Sequence, residues 1–249
     1  MMKFDASGED LSSKRWFGSR MKSGLGCGLA VLASIMLFQG AADAKTIYVN
    51  ASIPVSGNGT SWAKSFKFLQ DALKVAIAGD RIFLAKGIYY PDDFLPINGE
   101  NLNYGDRELS FELNRVTIYG GFLGNETNVD QRDPLANETI LSGAIWDAVA
   151  TPGYERYWAL HVVVLKGDST LDGVTIEHGR ANGDEVPYNQ GGAVYAPSGT
   201  TVTLENCLLR ENLACESGGA VWGTVKANKS TFADNRTDNE FLLTDRKLN

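Results

Sequence analysis

Apolar and polar residues alternate along most of this chain in short runs, and Gly, Asn and Asp separate the runs. A period of two broken at turn residues predicts short β-strands. They fall at Thr46 to Val49, Arg81 to Ala85, Leu109 to Leu113, Val116 to Tyr119, Thr139 to Leu141, Ala159 to Leu165 and Leu171 to Ile176. Five more follow at Ala193 to Tyr195, Val202 to Leu204, Cys207 to Leu209, Ala220 to Trp222 and Ser230 to Phe232. One segment has a different period. From Ser65 to Ala78 the apolar residues Phe66, Leu69, Leu73, Ala76 and Ile77 share a helical face, and Gly79 supplies a C-terminal stop. The pattern therefore predicts an all-β chain with a single helix.

Whole segments also recur. Gly191-Gly192-Ala-Val-Tyr195 followed by Leu209-Arg-Glu-Asn212 returns as Gly218-Gly219-Ala-Val-Trp222 followed by Phe232-Ala-Asp-Asn235, offset by 27 residues at the glycines and 23 at the asparagines. Short strands and polar turns alone would also suit a sandwich, but recurrence at this period favours a solenoid, in which each coil pairs with the one before. Val174 and Ile176, Cys207 and Leu209, and Ser230 and Phe232 take the inward phase. Asn212 and Asn235 then occupy equivalent bends and can bond in a ladder, while Gly191, Gly192, Gly218 and Gly219 allow close approach at a corner. An exposed sheet edge needs a cover, and the helix suits the N-terminal end.

Composition narrows the class further. With 249 residues, 43% hydrophobic and 21% charged, the chain is globular. A basic stretch (Lys14, Arg15, Arg20, Lys22), an apolar run from Leu25 to Phe38 and Ala42-Asp-Ala44 form a signal-peptide pattern, with the mature chain starting at Lys45. The run is shorter than the roughly 20 residues of a membrane span. Removing residues 1–44 takes away five of the 23 basic and four of the 30 acidic residues, leaving 18 against 26. That surplus opposes nucleic acid or anionic membrane as partner. The organisation expected is an extension and signal peptide over 1–44, a cap and first coils over 45–90, coils with excursions over 91–238, and a tail over 239–249. Cys207 and Cys215 could be bridged in an exported chain, although Cys207 should point inward and Cys215 sits in a connection. With His161 and His178 the only histidines, nothing reads as a zinc site, and His178 reads as a surface residue.

At the doubled unit the sequence resembles exported bacterial proteins with right-handed parallel β-helix repeats of the pectin-lyase-like fold, including the polymorphic outer membrane protein repeats with GGAI and FxxN signatures. Here these read GGAV twice, with LREN and FADN. Gly57-Asn-Gly-Thr-Ser-Trp62, Leu69-Gln-Asp-Ala-Leu73, Tyr119-Gly-Gly-Phe122, Asp130-Gln-Arg-Asp133, Ile140-Leu-Ser-Gly143 and Leu171-Asp-Gly-Val-Thr-Ile176 look like the head of such proteins, so the resemblance spans about residues 46 to 238. It implies a right-handed parallel β-helix with a short N-terminal capping helix, and an extracellular or outer-surface location. It implies no single activity. Relatives usually continue into further coils and an anchor, whereas this sequence reaches Asn249 soon after FADN, which reads as truncation.

Two functions follow as expectations. The first is a non-catalytic surface or adhesion module that presents a repetitive face to extracellular ligands or glycans, monomeric if its ends are capped. The alternative is a polysaccharide lyase or glycoside hydrolase. A hydrolase needs converging carboxylates with one held protonated. Asp168, Asp172, Glu177, Asp184 and Glu185 are the densest acidic group, against the plainer reading of Asp172 as part of a coil turn and of Asp184 and Glu185 as loop residues. A lyase needs a basic residue and usually calcium-binding acids; Arg210 should point outward, but no acidic cluster is evident one coil away. No cofactor is expected, calcium only under the lyase alternative. Trp62, Trp146, Trp158, Trp222 and Tyr154 with Tyr157 could stack on sugar rings or simply pack, and 144–158 reads as an excursion that could hold a ligand contact.

Overall fold

A computed structural model describes residues 44–91, 106–145 and 158–237. Residues 1–43, where the expected signal peptide falls, the expected tail over 239–249, Trp146, Tyr154 and Tyr157 lie outside the described residues.

The first strand, β1 (Thr46–Val49), precedes a 3-10 turn at Trp62–Lys64 and the helix α1 (Leu69–Val75). Then come β2 (Arg81–Ala85), β3 (Gly87–Tyr89), β4 (Phe111–Leu113), β5 (Thr117–Phe122), β6 (Thr139–Ser142), β7 (Val163–Leu165), β8 (Ser169–Asp172), β9 (Thr175–Glu177) and β10 (Arg180–Ala181). The two last coils contribute β11 (Val194–Tyr195), β12 (Thr201–Glu205), β13 (Leu208–Arg210) and β14 (Leu213–Ala214), then β15 (Val221–Trp222), β16 (Thr224–Asn228), β17 (Thr231–Ala233) and β18 (Arg236–Thr237).

Among the described residues every pairing is parallel, and strands pair with their counterparts one coil away. Four sheets result, in the orders β1-β2-β5-β8-β12-β16, β3-β6-β9-β13-β17, β4-β7-β11-β15 and β10-β14-β18. This mainly β, all-parallel stack is compatible with a β-helix or solenoid. Its core is a column of inward residues, with Ile82, Ile118, Leu171 and Leu204 fully buried in the first sheet and Ile176 and Leu209 in the second. Val225 and Phe232, on the last coil described, are 40% and 45% exposed, although they align with Val202 and Leu209.

The helix is shorter than the pattern 65–78. Phe66 has β geometry: its N–H donates to the Tyr48 carbonyl (2.9 Å) and its own carbonyl accepts from Asn50 N (2.8 Å). Pairing with β1 therefore removes the first turn. At the other end, Asp80, fully buried, accepts from Ile77 N (2.9 Å) and Lys45 N (3.0 Å), which turns the chain out of the helix. Leu69 and Ala72 are buried, and α1 touches β1 and β4. The predicted strand at Leu171 to Ile176 is two strands, β8 and β9, because Gly173 takes a left-handed corner (φ 72°) that turns the chain from one sheet to the next.

The repeat residues behave as corners. A Cβ on Gly192 would lie 2.7 Å from the Gly219 carbonyl oxygen, so the second glycine of each pair is required by backbone packed on backbone. Asn212 and Asn235 form the expected ladder: the Asn212 side-chain amide donates to Asn235 Oδ1 (2.9 Å). Cys207 and Cys215 are both buried and not bridged to each other, so the open question of a bridge closes against it. Burial pushes the Cys207 thiol up to about 11.

Candidate functional site

Between β5 and β6 the chain leaves the stack as an arm, and the arm walls a broad groove. Local hydrogen bonds stiffen it: Asn128 Oδ1 accepts from Asp130 N (2.6 Å), Gln131 Oε1 accepts from Asn128 N (3.1 Å), and Asp133 Oδ1 accepts from Leu135 N (3.0 Å). These are the side chain to backbone bonds by which Asn and Asp nucleate turns. The arm is fastened by Arg132, whose guanidinium forms an ion pair with Asp172 Oδ2 (2.6 Å), donates to the carbonyls of Gly120 (3.2 Å) and Asp172 (3.1 Å), and lies 5.3 Å from the Tyr119 ring centroid. Two motifs read separately in the sequence, Asp130 to Asp133 and Leu171 to Ile176, thus meet.

The groove encloses about 1240 Å³ between the arm, with Val129, Pro134 and Leu135, and the sheet corners at Gly173, Asn206 and Lys229. Leu135 is 98% exposed at its lip. Asn206 and Lys229 repeat the left-handed geometry of Gly173 (φ 51° and 47°). Asp172 is half-buried on the groove wall, and its second oxygen accepts from the Asn206 amide (2.9 Å).

Glu177 and Arg210 meet on a different strip, the outer face of the five-stranded sheet. They are register partners on β9 and β13, and Arg210 Nε donates to Glu177 Oε2 (2.8 Å). Glu138 lies 3.6 Å from the same guanidinium. Glu177, Glu138 and Glu211 hold the Arg210 guanidinium above its usual range, the hydrogen bond that Arg210 donates to Glu177 contributing most. One coil from Arg210 stands a single carboxylate, Glu177, rather than an acidic cluster. The 27- and 23-residue offsets of the visible repeat gave no hint of the 33-residue step that joins Glu177 to Arg210.

His178 is also more engaged than a plain surface residue. Its ring nitrogens contact Glu177 (3.4 Å) and Glu211 (3.1 Å), and its ring lies 4.9 Å from that of Trp158. Asp168 caps the next coil by accepting from Thr201 N (2.8 Å), while Asp184 and Glu185 are exposed loop residues that join neither group. Tyr195 and Trp222 stack in parallel (4.9 Å, 5°), and Trp62 packs against Tyr48 and Phe122. Sequence reasoning missed Arg132, Glu138 and Glu211. Only the doubled Asp in Asp130-Gln-Arg-Asp133 marked the arm as structured.

Chemically, both oxygens of Asp172 are taken by Arg132 and Asn206, whereas Glu177 accepts from Arg210 at one oxygen and has His178 Nδ1 3.4 Å from the other. Among the described residues no set of three His, Cys, Asp or Glu side chains is grouped to hold a metal, and no helix is long and apolar enough to cross a membrane. The fold and site define a class, a parallel-stranded stack with a surface groove and cross-coil ladders. No family model, curated protein or solved structure matches the chain.

Proposed function

We propose that this chain is an exported, non-catalytic surface module built as a right-handed parallel β-helix, which presents the groove beside the arm to an extracellular ligand, a glycan foremost. The observation that carries this reading is the pairing of the two candidate catalytic carboxylates: Asp172 spends both oxygens on Arg132 and Asn206, which hold the arm and join the coils, and Glu177 bonds across a coil to Arg210. A groove with exposed Leu135 and Pro134 on one wall and Asn206 and Thr175 nearby offers the mixed apolar and hydrogen-bonding lining that pyranose rings require. The acidic balance, -7 over the whole chain, argues against nucleic acid as the ligand.

The test is a glycan array run beside reducing-end and unsaturated-product assays on the same polysaccharides. Binding without turnover is expected, weakened by Leu135→Asp. Turnover that disappears in Asp172→Asn or Glu177→Gln would overturn the reading and install the lyase or hydrolase alternative, with calcium dependence then separating the two.

A further inference from the structure

A second, smaller cleft lies at the corner that follows the five-stranded sheet. It encloses about 410 Å³, within the range of small-molecule sites, and its lining includes Trp158, His178, Arg180, Glu211, Leu213 and Arg236. The strand register explains the spacing of its charges. Arg180 and Arg236 both align with Leu213, one coil to either side, so two guanidinium-bearing positions flank an apolar floor about 10 Å apart, twice the interstrand step.

Arg180 is held in an unusual state. Its guanidinium carbon lies 5.1 Å from the Trp158 ring centroid, and among the described residues no carboxylate lies within ion-pair distance of it. A guanidinium resting on an indole keeps its in-plane fork of N–H donors free, and that fork matches a carboxylate in bidentate fashion. Behind it stands Arg107, whose donors, among the described residues, go to neutral oxygens: the carbonyls of Trp158 (2.8 Å) and Arg180 (2.9 Å), and the Asn182 side chain. Arg107 is half-buried, and a charge drawn partly out of water is ordinarily paired. Burial, and next the charge of Arg180, lower the affinity of Arg107 for its proton, with Cys215 acting in the opposite sense. Of the carboxylates facing the cleft, Glu211 is engaged by His178 Nε2 (3.1 Å), and Asp234 stands exposed at the rim. A locally cationic spot in a chain of net charge -7 calls for an anion.

We infer that this cleft binds a carboxylate-bearing small molecule of monosaccharide size, its carboxylate taken by the Arg180 fork with Arg236 closing the far side. The inference does not depend on the groove beside the arm. The experiment is calorimetric titration of the full chain with D-glucuronate and, as the ring without the carboxylate, D-glucose. Saturable binding of glucuronate but not glucose is expected, weakened about tenfold or more in Arg180→Gln and strengthened in Asp234→Asn, where a repelling charge is gone. Arg180→Lys, which keeps the charge and loses the fork, should also weaken it, and serves if Arg180→Gln does not fold. Absence of saturable glucuronate binding, equal binding of glucose, or unchanged affinity in the arginine variants would overturn the inference.

Discussion

Asn212 ties three successive coils together. Its side chain accepts from Gly179 N (2.8 Å) on one side, donates to the Ile176 carbonyl (3.0 Å), and donates to Asn235 (2.9 Å) on the other, all with 1% of the residue exposed. A buried donor or acceptor left unpaired costs about 1–3 kcal/mol. Asn212→Ala should therefore lower unfolding free energy in urea by about 3 kcal/mol, and Asn235→Ala by less, since the end coil is more exposed. Lys229 is a residue of the opposite kind: it holds left-handed geometry (φ 47°) with no Cβ-sparing glycine. Lys229→Gly should raise stability by about 1 kcal/mol in the same assay. His161 supplies a pH signature. Burial depresses its pKa below 6.5, partly offset by its bond to the Gly191 carbonyl. Above about 6.5 both folded and unfolded chains are neutral there and nothing is lost. On acidification the unfolded chain takes up the proton first, so stability falls until the folded-state value is reached. His161→Gln should flatten the slope of stability against pH just below 6.5; an unchanged slope would assign it to other groups.

At the scale of elements, burial grades along the stack. Leu209 on β13 is fully buried and its register partner Phe232 on β17 is 45% exposed. Leu209→Ala should cost about 3 kcal/mol and Phe232→Ala about 1 kcal/mol, read from urea midpoints at constant slope. The alternation of β12, with Val202 and Leu204 inward and Thr203 and Glu205 outward, was readable from the residues alone. The doubled GGAV unit likewise gave the corners and the ladder. Other elements were not readable. Strands β10, β14 and β18 have two residues each, too few to show a period. Phe66 fits a helical face in the sequence and is taken by β1 through backbone bonds that no propensity records. The joining of Glu177 to Arg210 was hidden because the loop before Gly191 lengthens that coil, so that sequence spacing no longer gives register.

At the scale of the whole molecule, the account rests on parallel coils stacked in register, since the groove, the Arg210 strip and the carboxylate cleft all arise from residues one or two coils apart. Cross-linking tests that register most directly. Thr203 lies outward on β12, in register with Thr170 on β8 and Lys226 on β16. Adjacent parallel strands stand about 4.8 Å apart, within disulfide reach, whereas Thr170 and Lys226 are separated by about twice that. With Cys27→Ser removing a thiol outside the described residues, and Cys207 and Cys215 buried, paired cysteines can be oxidised without native competitors. The pair Thr170→Cys with Thr203→Cys should bridge readily in the folded protein, and Thr170→Cys with Lys226→Cys should not. Equal bridging of both pairs, or bridging of the second alone, would contradict the stacked register on which the sites depend.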